Sequence, residues 1–240
     1  MEFTNAFIEK MVNQTFPGLT LYYRDADLEQ PVAGMYQPGQ ILRNGFFLDV
    51  TNMGGGIGQN TRFLVASTKA IPLSAINPEV KKWGLHVINV NAFFKVLDVI
   101  REGGKMQVLL LQIPEEGVEL FRSAQINLEQ QVITKGRERF YTCWDEPPLA
   151  ELQTPEWLDR TRYPVGINAR GEFFGLVFDP SLSAHPMAKM LAGGLEKLVT
   201  LKENQASPAG ETPEQGQENE VRPPEDKKPG FWKRLFGDRW

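Results

Sequence analysis

Apolar residues recur along residues 1–201 with both the helical and the strand period. Thr4 precedes a stretch with apolar residues at helical spacing, which predicts a capped helix through Phe16. The run 106–113 is almost wholly apolar and predicts a strand covered on both faces of a sheet. Shorter β-rich runs predict further strands at 19–24, 41–51, 61–68 and 85–90.

The second half of this region gives a mixed pattern. Asn91 is predicted to cap a helix over 92–101 that ends at Gly103-Gly104, because apolar residues there fall on one helical face. Segments 124–134 and 138–144 are predicted to pair as a hairpin through Lys135-Gly136. The remaining predictions are a helix start at 154–159, a hairpin of 165–168 with 172–178, and a last helix from 186 to about 201. The pattern indicates an α+β body with a mostly antiparallel sheet and a few packed helices.

Residues 202–229 change the composition sharply. They are rich in Pro, Glu and Gln, and Val221 is the one aliphatic residue larger than Ala. Such a segment buries too little apolar surface to offset the entropy of ordering, so a disordered acidic linker is predicted, with a coil span of about 30 Å. The predicted organisation is a globular body at 1–201, a linker at 202–229 and an aromatic tip at 230–240.

The aromatic tip has two faces when drawn as a helix. Large apolar residues fill about half of the circumference and three cations stand against one Asp, a net charge of +2. Aromatic rings beside cations are typical of helices that lie in an anionic membrane interface or dock in a protein groove, and packing on its own body is a third alternative. The predicted contact residues are Phe231, Trp232, Lys233, Arg234, Leu235, Phe236, Arg239 and Trp240.

The segment Gly230-Phe-Trp-Lys-Arg-Leu-Phe-Gly237 resembles the membrane-targeting helix of the MinD-type division-site ATPases. The resemblance covers about eight residues and implies an amphipathic anchor. It implies no ATPase activity, because the body has no P-loop Gly-Lys-Ser/Thr motif.

Composition excludes several classes of function. A formal net charge of −4 argues against a nucleic-acid-binding surface. The first residues lack the pattern of a signal peptide, no apolar run is long enough to span a bilayer, and one cysteine fits a reducing compartment. We therefore expect a cytoplasmic, bacterial-type protein, peripheral on the inner membrane.

The glycine-rich loop at 53–60 is the most conspicuous loop of the body. Exposed backbone N–H groups in such a loop can bind an anion, assisted here by Arg62 or Lys69. Both flanks are predicted strands, so a plain hairpin tip and a protein-contact loop remain alternatives. The anion-binding prediction concerns Gly54, Gly55, Gly56, Gly58 and Arg62.

Other candidate chemistry is weak. Cys143 could form a nucleophilic set with His86 or His185, but a small buried side chain at the end of a strand is the simpler interpretation. Two His and one Cys without ligand spacing predict no metal site, and no cofactor is expected.

These patterns together favour a peripheral membrane-tethered adaptor or scaffold that self-associates, as a homo-oligomer or within a multimeric assembly. One short helix binds weakly, so several would be needed for stable attachment. The alternatives are a soluble adaptor whose aromatic tip docks in a partner groove, and an enzyme or anion-binding domain using the glycine-rich loop. A non-enzyme is favoured at this stage.

Overall fold

The computed structural model describes residues 3–193. The predicted linker, the aromatic tip and the last residues of the predicted body lie outside this range, so the predicted division into three parts stays a prediction. Within the described range, no helix has the length and apolar character needed to cross a bilayer.

The described residues build one mixed sheet of eight strands in the order β2-β7-β8-β4-β1-β3-β6-β5. All neighbouring strands are antiparallel except β4 and β8, which pair in parallel at the centre. The strands are β1 (Thr20–Ala26), β2 (Ile41–Asn44), β3 (Leu48–Thr51), β4 (Thr61–Ser67), β5 (Ile71–Pro72), β6 (Leu85–Ile88), β7 (Ala92–Glu102) and β8 (Lys105–Ile113).

Short helices pack on this sheet. The α-helices are α1 (Asn5–Thr15), α2 (Gln30–Ala33), α3 (Val118–Ser123), α4 (Asn127–Thr142), α5 (Pro155–Thr161) and α6 (Pro180–Ser183). Residues 186–193 are also helical, and 3-10 turns lie at Leu73–Ala75, Pro78–Trp83, Glu115–Gly117 and Ala150–Gln153. The predicted α+β class with a mostly antiparallel sheet is confirmed. The predicted cap of α1 is also present, because Thr4 Oγ1 accepts a hydrogen bond from the Phe7 amide.

Both faces of the sheet are covered. Helices α1, α3 and α4 bury one face around residues such as Phe16, Phe121 and Val132. The other face is buried by Tyr36, Val165 and their neighbours. The central strands therefore expose neither face, which explains their almost continuous apolar sequence.

The predicted helix over 92–101 is wrong, because these residues form strand β7. Consecutive residues such as Phe93 and Phe94 pack into the cores on opposite faces of the sheet, so both faces of the strand are apolar. A strand buried on both faces also places apolar residues at helical spacing, and a short apolar run cannot distinguish the two periods.

The predicted hairpin of 124–134 with 138–144 is also wrong, because residues 127–142 form the single helix α4. The sequence pattern predicts Gly136 as a turn residue, but in the structure it is the residue of α4 that contacts β8 closely. A Cβ there would lie 2.7 Å from Leu109 Cδ2, and the Gly136 carbonyl accepts a hydrogen bond from Gln107 Nε2. A glycine in the middle of a helix thus lets α4 approach β8 closely.

Residues 163–179, here called the strap, run across the edge of the sheet without regular structure. The predicted hairpin in this region amounts to one bridge between Ile167 and Phe173. Side chains of the sheet hold the strap through its backbone. Asn44 Oδ1 accepts from the Gly166 amide, and Arg43 Nε donates to the Gly175 carbonyl at 2.6 Å.

Arg24 on β1 makes a similar connection. It is 4% exposed and donates to the carbonyls of Asp49, Arg160 and Tyr163, while its Nε has no partner. Burial lowers the pKa of Arg24 to about 10, although the charge of Asp49 opposes this. Arg24 therefore joins the sheet to the strap through hydrogen bonds to backbone carbonyls, although its burial disfavours the charged form.

Candidate functional site

The turn between β7 and β8 is fixed by two glycines. Gly103 and Gly104 have φ values of +52° and +78°, the left-handed pair that a two-residue hairpin turn requires. The Trp144 ring packs against the turn so closely that a Cβ on Gly103 would lie 2.6 Å from Trp144 Cζ2. Glu102 and Lys105 pair across the strands beside this turn.

A cleft of about 300 Å³ opens beside this turn, between the ends of β7 and β8 and helix α2. Its apolar floor contains the buried residues Leu28, Ala33 and Met106. Its polar lining consists of Gln30, Asn60, Thr61, Arg101, Glu102 and Lys105. This volume is at the lower end of the range for small-molecule sites, which combine an apolar surface with a few polar groups. We call this site the basic cleft.

Arg101 is the cationic side chain on the cleft face of the β7–β8 hairpin, because it pairs across the strands with the cleft residue Met106. Arg101 uses Nη2 to donate to the carbonyls of Ala33 and Tyr36, which leaves its Nε and Nη1 without hydrogen bonds to the described residues. The Lys105 ammonium lies 5.3 Å from the centre of the Trp144 ring and forms no ion pair within the described part of the chain. Glu102 is the one acidic residue in the lining.

Asn60 makes the cleft wall rigid. Its side chain donates to the Leu28 carbonyl and accepts from the Leu28 amide and the Thr61 hydroxyl. Its own carbonyl accepts from the Met106 amide. These hydrogen bonds fix Asn60 between Leu28 and Met106 in the cleft lining. Gln30 is the other side-chain amide in the lining.

The sequence contained one signal for this site that was misinterpreted. The sequence pattern predicts Gly103-Gly104 as the end of a helix over 92–101. As the turn of a hairpin, the same glycines place Arg101 near the end of β7, beside the cleft.

The glycine-rich loop joins β3 to β4, as its flanks predicted, and is held by protein groups. Arg62 pairs with both oxygens of Asp25 and donates to the carbonyls of Gly55 and Gly56. Burial alone would lower the pKa of Arg62, but the hydrogen bonds and charge of Asp25 outweigh burial and raise it. The Gly58 amide donates to Asp25 as well.

The glycines of this loop also pack closely. A Cβ on Gly56 would lie 1.8 Å from the Glu146 carbonyl oxygen, and the Gly56 amide donates to the Pro147 carbonyl. Anion binding by Gly54, Gly55, Gly56, Gly58 and Arg62 stays a prediction. The contacts in the structure show these residues anchoring the 146–147 segment to the sheet.

The other sequence candidates are spread over the fold. Cys143 is buried at the end of α4, near Tyr23 and Arg62. His86 lies on β6 against the Tyr22 ring, and His185 lies against the Phe47 ring. Among the described residues, no group of three His, Cys, Asp or Glu side chains is arranged to hold a metal ion.

The aromatic tip lies outside the described residues. Contact of Phe231, Trp232, Lys233, Arg234, Leu235, Phe236, Arg239 and Trp240 with a membrane or a partner therefore stays a prediction, as does the resemblance to the MinD-type anchor.

Comparison with known proteins finds similarity in structure only. No protein-family model and no curated protein matches the sequence. The type III effector XopAI from Xanthomonas axonopodis pv. citri is 14% identical over 42% of this chain and 44% of its own, with a TM-score of 0.36. The Vis toxin, an ADP-ribosyltransferase from Vibrio splendidus, is 12% identical over 48% and 57%, with a TM-score of 0.34. The ADP-ribosyltransferase HopU1 of Pseudomonas syringae is 16% identical over 43% and 48%, with a TM-score of 0.34.

This comparison corrects two functional expectations. The structures that it finds are toxins and effectors, two of them named as enzymes, and none is a membrane scaffold. The expected peripheral membrane-tethered adaptor or scaffold, with its soluble-adaptor variant, is therefore wrong, and so is the preference for a non-enzyme. The match spans about half of each similar structure. The activity in those names is a property of those proteins.

Proposed function

We propose that the protein binds a small anionic molecule with an apolar portion in the basic cleft. The observation that carries this proposal is the Arg101 guanidinium, which lies on the same face of the β7–β8 hairpin as the cleft residue Met106 and beside Ala33. The apolar floor and the cationic rim together favour a ligand that offers both kinds of surface.

Donor geometry favours a phosphate or carboxylate as the anionic group. Both edges on which a guanidinium binds two oxygens include Nη2, which Ala33 and Tyr36 occupy, so Arg101 offers Nε and Nη1 as separate donors to the oxygens of such a group. Lys105 lies on the opposite face of the hairpin, where its ammonium contacts the Trp144 ring. The Gln30 amide is available as a further polar partner on the lining.

The first prediction is that Arg101→Gln weakens binding of ADP by about fivefold, the equivalent of about 1 kcal/mol for a partly exposed charge. Titration calorimetry with ADP, pyrophosphate and adenosine measures the effect. ADP offers both an anion and an apolar base, so it should bind more tightly than either fragment alone. The Arg101→Gln loss should appear with ADP and pyrophosphate, and adenosine binding should be unchanged.

Lys105→Gln is the matched control. The Lys105 ammonium lies on the opposite face of the same hairpin, 5.3 Å from the centre of the Trp144 ring. This variant should bind ADP as the parent protein does. The proposal is wrong if ADP and pyrophosphate do not bind the parent protein, or if the two variants lose equal affinity.

A further inference from the structure

Three consecutive apolar side chains of the strap face solvent. Leu176, Val177 and Phe178 are 38%, 79% and 37% exposed, and nearby Phe46 is 47% exposed. The Phe46 ring lies 5.1 Å from the ring of Phe174, which precedes the three strap residues by two positions, so the four exposed residues lie in one region, here called the apolar patch. Exposed apolar residues that cluster in this way are typical of a contact site.

The strap cannot turn these side chains inward. The Phe174 ring lies over Gly45 so closely that a Cβ there would be 2.5 Å from it, and Arg43 stacks on the same ring. The Gly175 carbonyl is bonded to Arg43 Nε. Residue 174 is thus fixed against the sheet, and the next three side chains are presented outward.

We propose that residues 231–240 in the aromatic tip of the same chain cover the apolar patch. The path of the described chain supports this occupant. After the strap, the chain returns past the same region, where His185 lies against the Phe47 ring and Asn89 Nδ2 donates to the Ala188 carbonyl. The described residues end at 193, only a few residues beyond these contacts.

Length and composition also support the tip as the occupant. The 37 residues at 194–230, treated as a coil, span about 33 Å, which is enough to return to the patch. All aromatic residues beyond 193 are in the tip. A tether of this kind gives an effective concentration near the millimolar range, so even weak apolar contact within one chain competes well with an external partner.

Charge is complementary as well. Glu172 and Asp179 stand at the two ends of the segment that carries the patch, and the tip has a net charge of +2. Cations flanking the apolar face of the tip would meet these carboxylates at the rim of the contact, where such pairs fix orientation more than they add affinity.

The test measures how fast a maleimide modifies a cysteine placed in the patch of the full chain. Val177→Cys changes an exposed side chain, and the native Cys143 is 3% exposed and stays unreactive. Covering by the tip should slow modification about tenfold compared with Val177→Cys in a chain that also carries Trp232→Ser and Phe236→Ser. Ile76→Cys, at a 55% exposed site away from the patch, should react equally in both backgrounds.

Three outcomes would overturn the proposal. Equal rates for Val177→Cys with and without the tip substitutions mean that the tip does not cover the patch. Protection that rises with protein concentration assigns the patch to a second copy. Protection that requires vesicles of phosphatidylglycerol assigns the patch to a membrane. Protection that is independent of concentration in the absence of lipid is the result expected for the tip of the same chain.

Discussion

At the scale of single residues, Tyr36 shows how burial couples the fold to pH. Its side chain is fully buried, and its hydroxyl donates to the Val165 carbonyl at 2.7 Å. Burial raises the pKa of Tyr36, although the nearby charge of Arg24 opposes this. The folded protein therefore holds the phenol proton more tightly than the unfolded chain does. Stability from this group is complete below pH 10, the ordinary tyrosine pKa, and declines as the pH rises above it.

We predict that Tyr36→Phe lowers the free energy of unfolding by about 1 kcal/mol at neutral pH, because the hydrogen bond to Val165 is lost. Above pH 10 the parent protein should lose stability more steeply than the variant, so the difference narrows. Chemical denaturation at a series of pH values measures both effects. Tyr163→Phe is the control for replacing a tyrosine, because Tyr163 is 52% exposed and its replacement should change the free energy of unfolding at neutral pH by less than Tyr36→Phe does. Parallel curves for the parent protein and Tyr36→Phe would contradict the prediction.

At the scale of elements, the two glycines of the β7–β8 turn allow backbone strain to be measured separately from the contact with Trp144. Gly103 and Gly104 both have positive φ, but only Gly103 faces the Trp144 ring, and nothing lies within 4 Å of a Cβ on Gly104. Gly104→Ala should cost about 1 kcal/mol of stability from backbone strain alone. Gly103→Ala adds overpacking against Trp144 and should cost about 1 to 3 kcal/mol more.

Binding provides a second measurement of the same two variants. Gly103 lines the basic cleft, and a Cβ there would displace the turn through its contact with Trp144, so Gly103→Ala should also weaken ADP binding. Gly104→Ala should leave the affinity close to that of the parent protein. Equal stability and equal affinity for the two variants would show that the Trp144 contact is unimportant.

The same elements show what the sequence can predict. Helix α1 was predictable because a capping Thr4 precedes an amphipathic pattern, and β8 was predictable because its run is short and almost wholly apolar. Strand β7 and helix α4 were not, because their patterns depend on tertiary packing. The two faces of β7 enter different cores, and Gly136 serves a close contact with Leu109 rather than a turn. The basic cleft could not be predicted because Arg101 lies beside Met106 only when residues 92–102 form a strand that pairs with β8.

At the scale of the whole molecule, Asn91 connects the sheet to the end of the strap. Its Oδ1 accepts from Arg43 Nη1 and the Asp179 amide, and its Nδ2 donates to the Asp179 carbonyl and the Ser183 hydroxyl. Its φ of +60° places the side chain in this network at the cost of backbone strain.

We predict that Asn91→Gly loosens the strap, so that limited proteolysis cleaves within 168–178 faster than in the parent protein. Glycine accepts the positive φ, so this variant reports the loss of the side chain alone. Asn91→Ala adds the strain of a left-handed alanine and should also lower the free energy of unfolding by about 1 kcal/mol more than Asn91→Gly. Unchanged cleavage in both variants would mean that Arg43 and Asn44 suffice to hold the strap.

The parallel pairing of β4 with β8 has a consequence for the order of folding. These strands meet at the centre of the sheet, yet their register joins Thr61 to Met106 and Ala66 to Leu111, which are distant along the chain. The neighbouring β7–β8 pair closes through a two-residue turn, so it can form locally and early. The pairing of β4 with β8 must close a long loop of the chain. Because loop closure costs conformational entropy, this step is expected to be slower than formation of the hairpin. We therefore expect the β7–β8 hairpin, which carries Arg101 of the basic cleft, to form first, and the other strands to add to it.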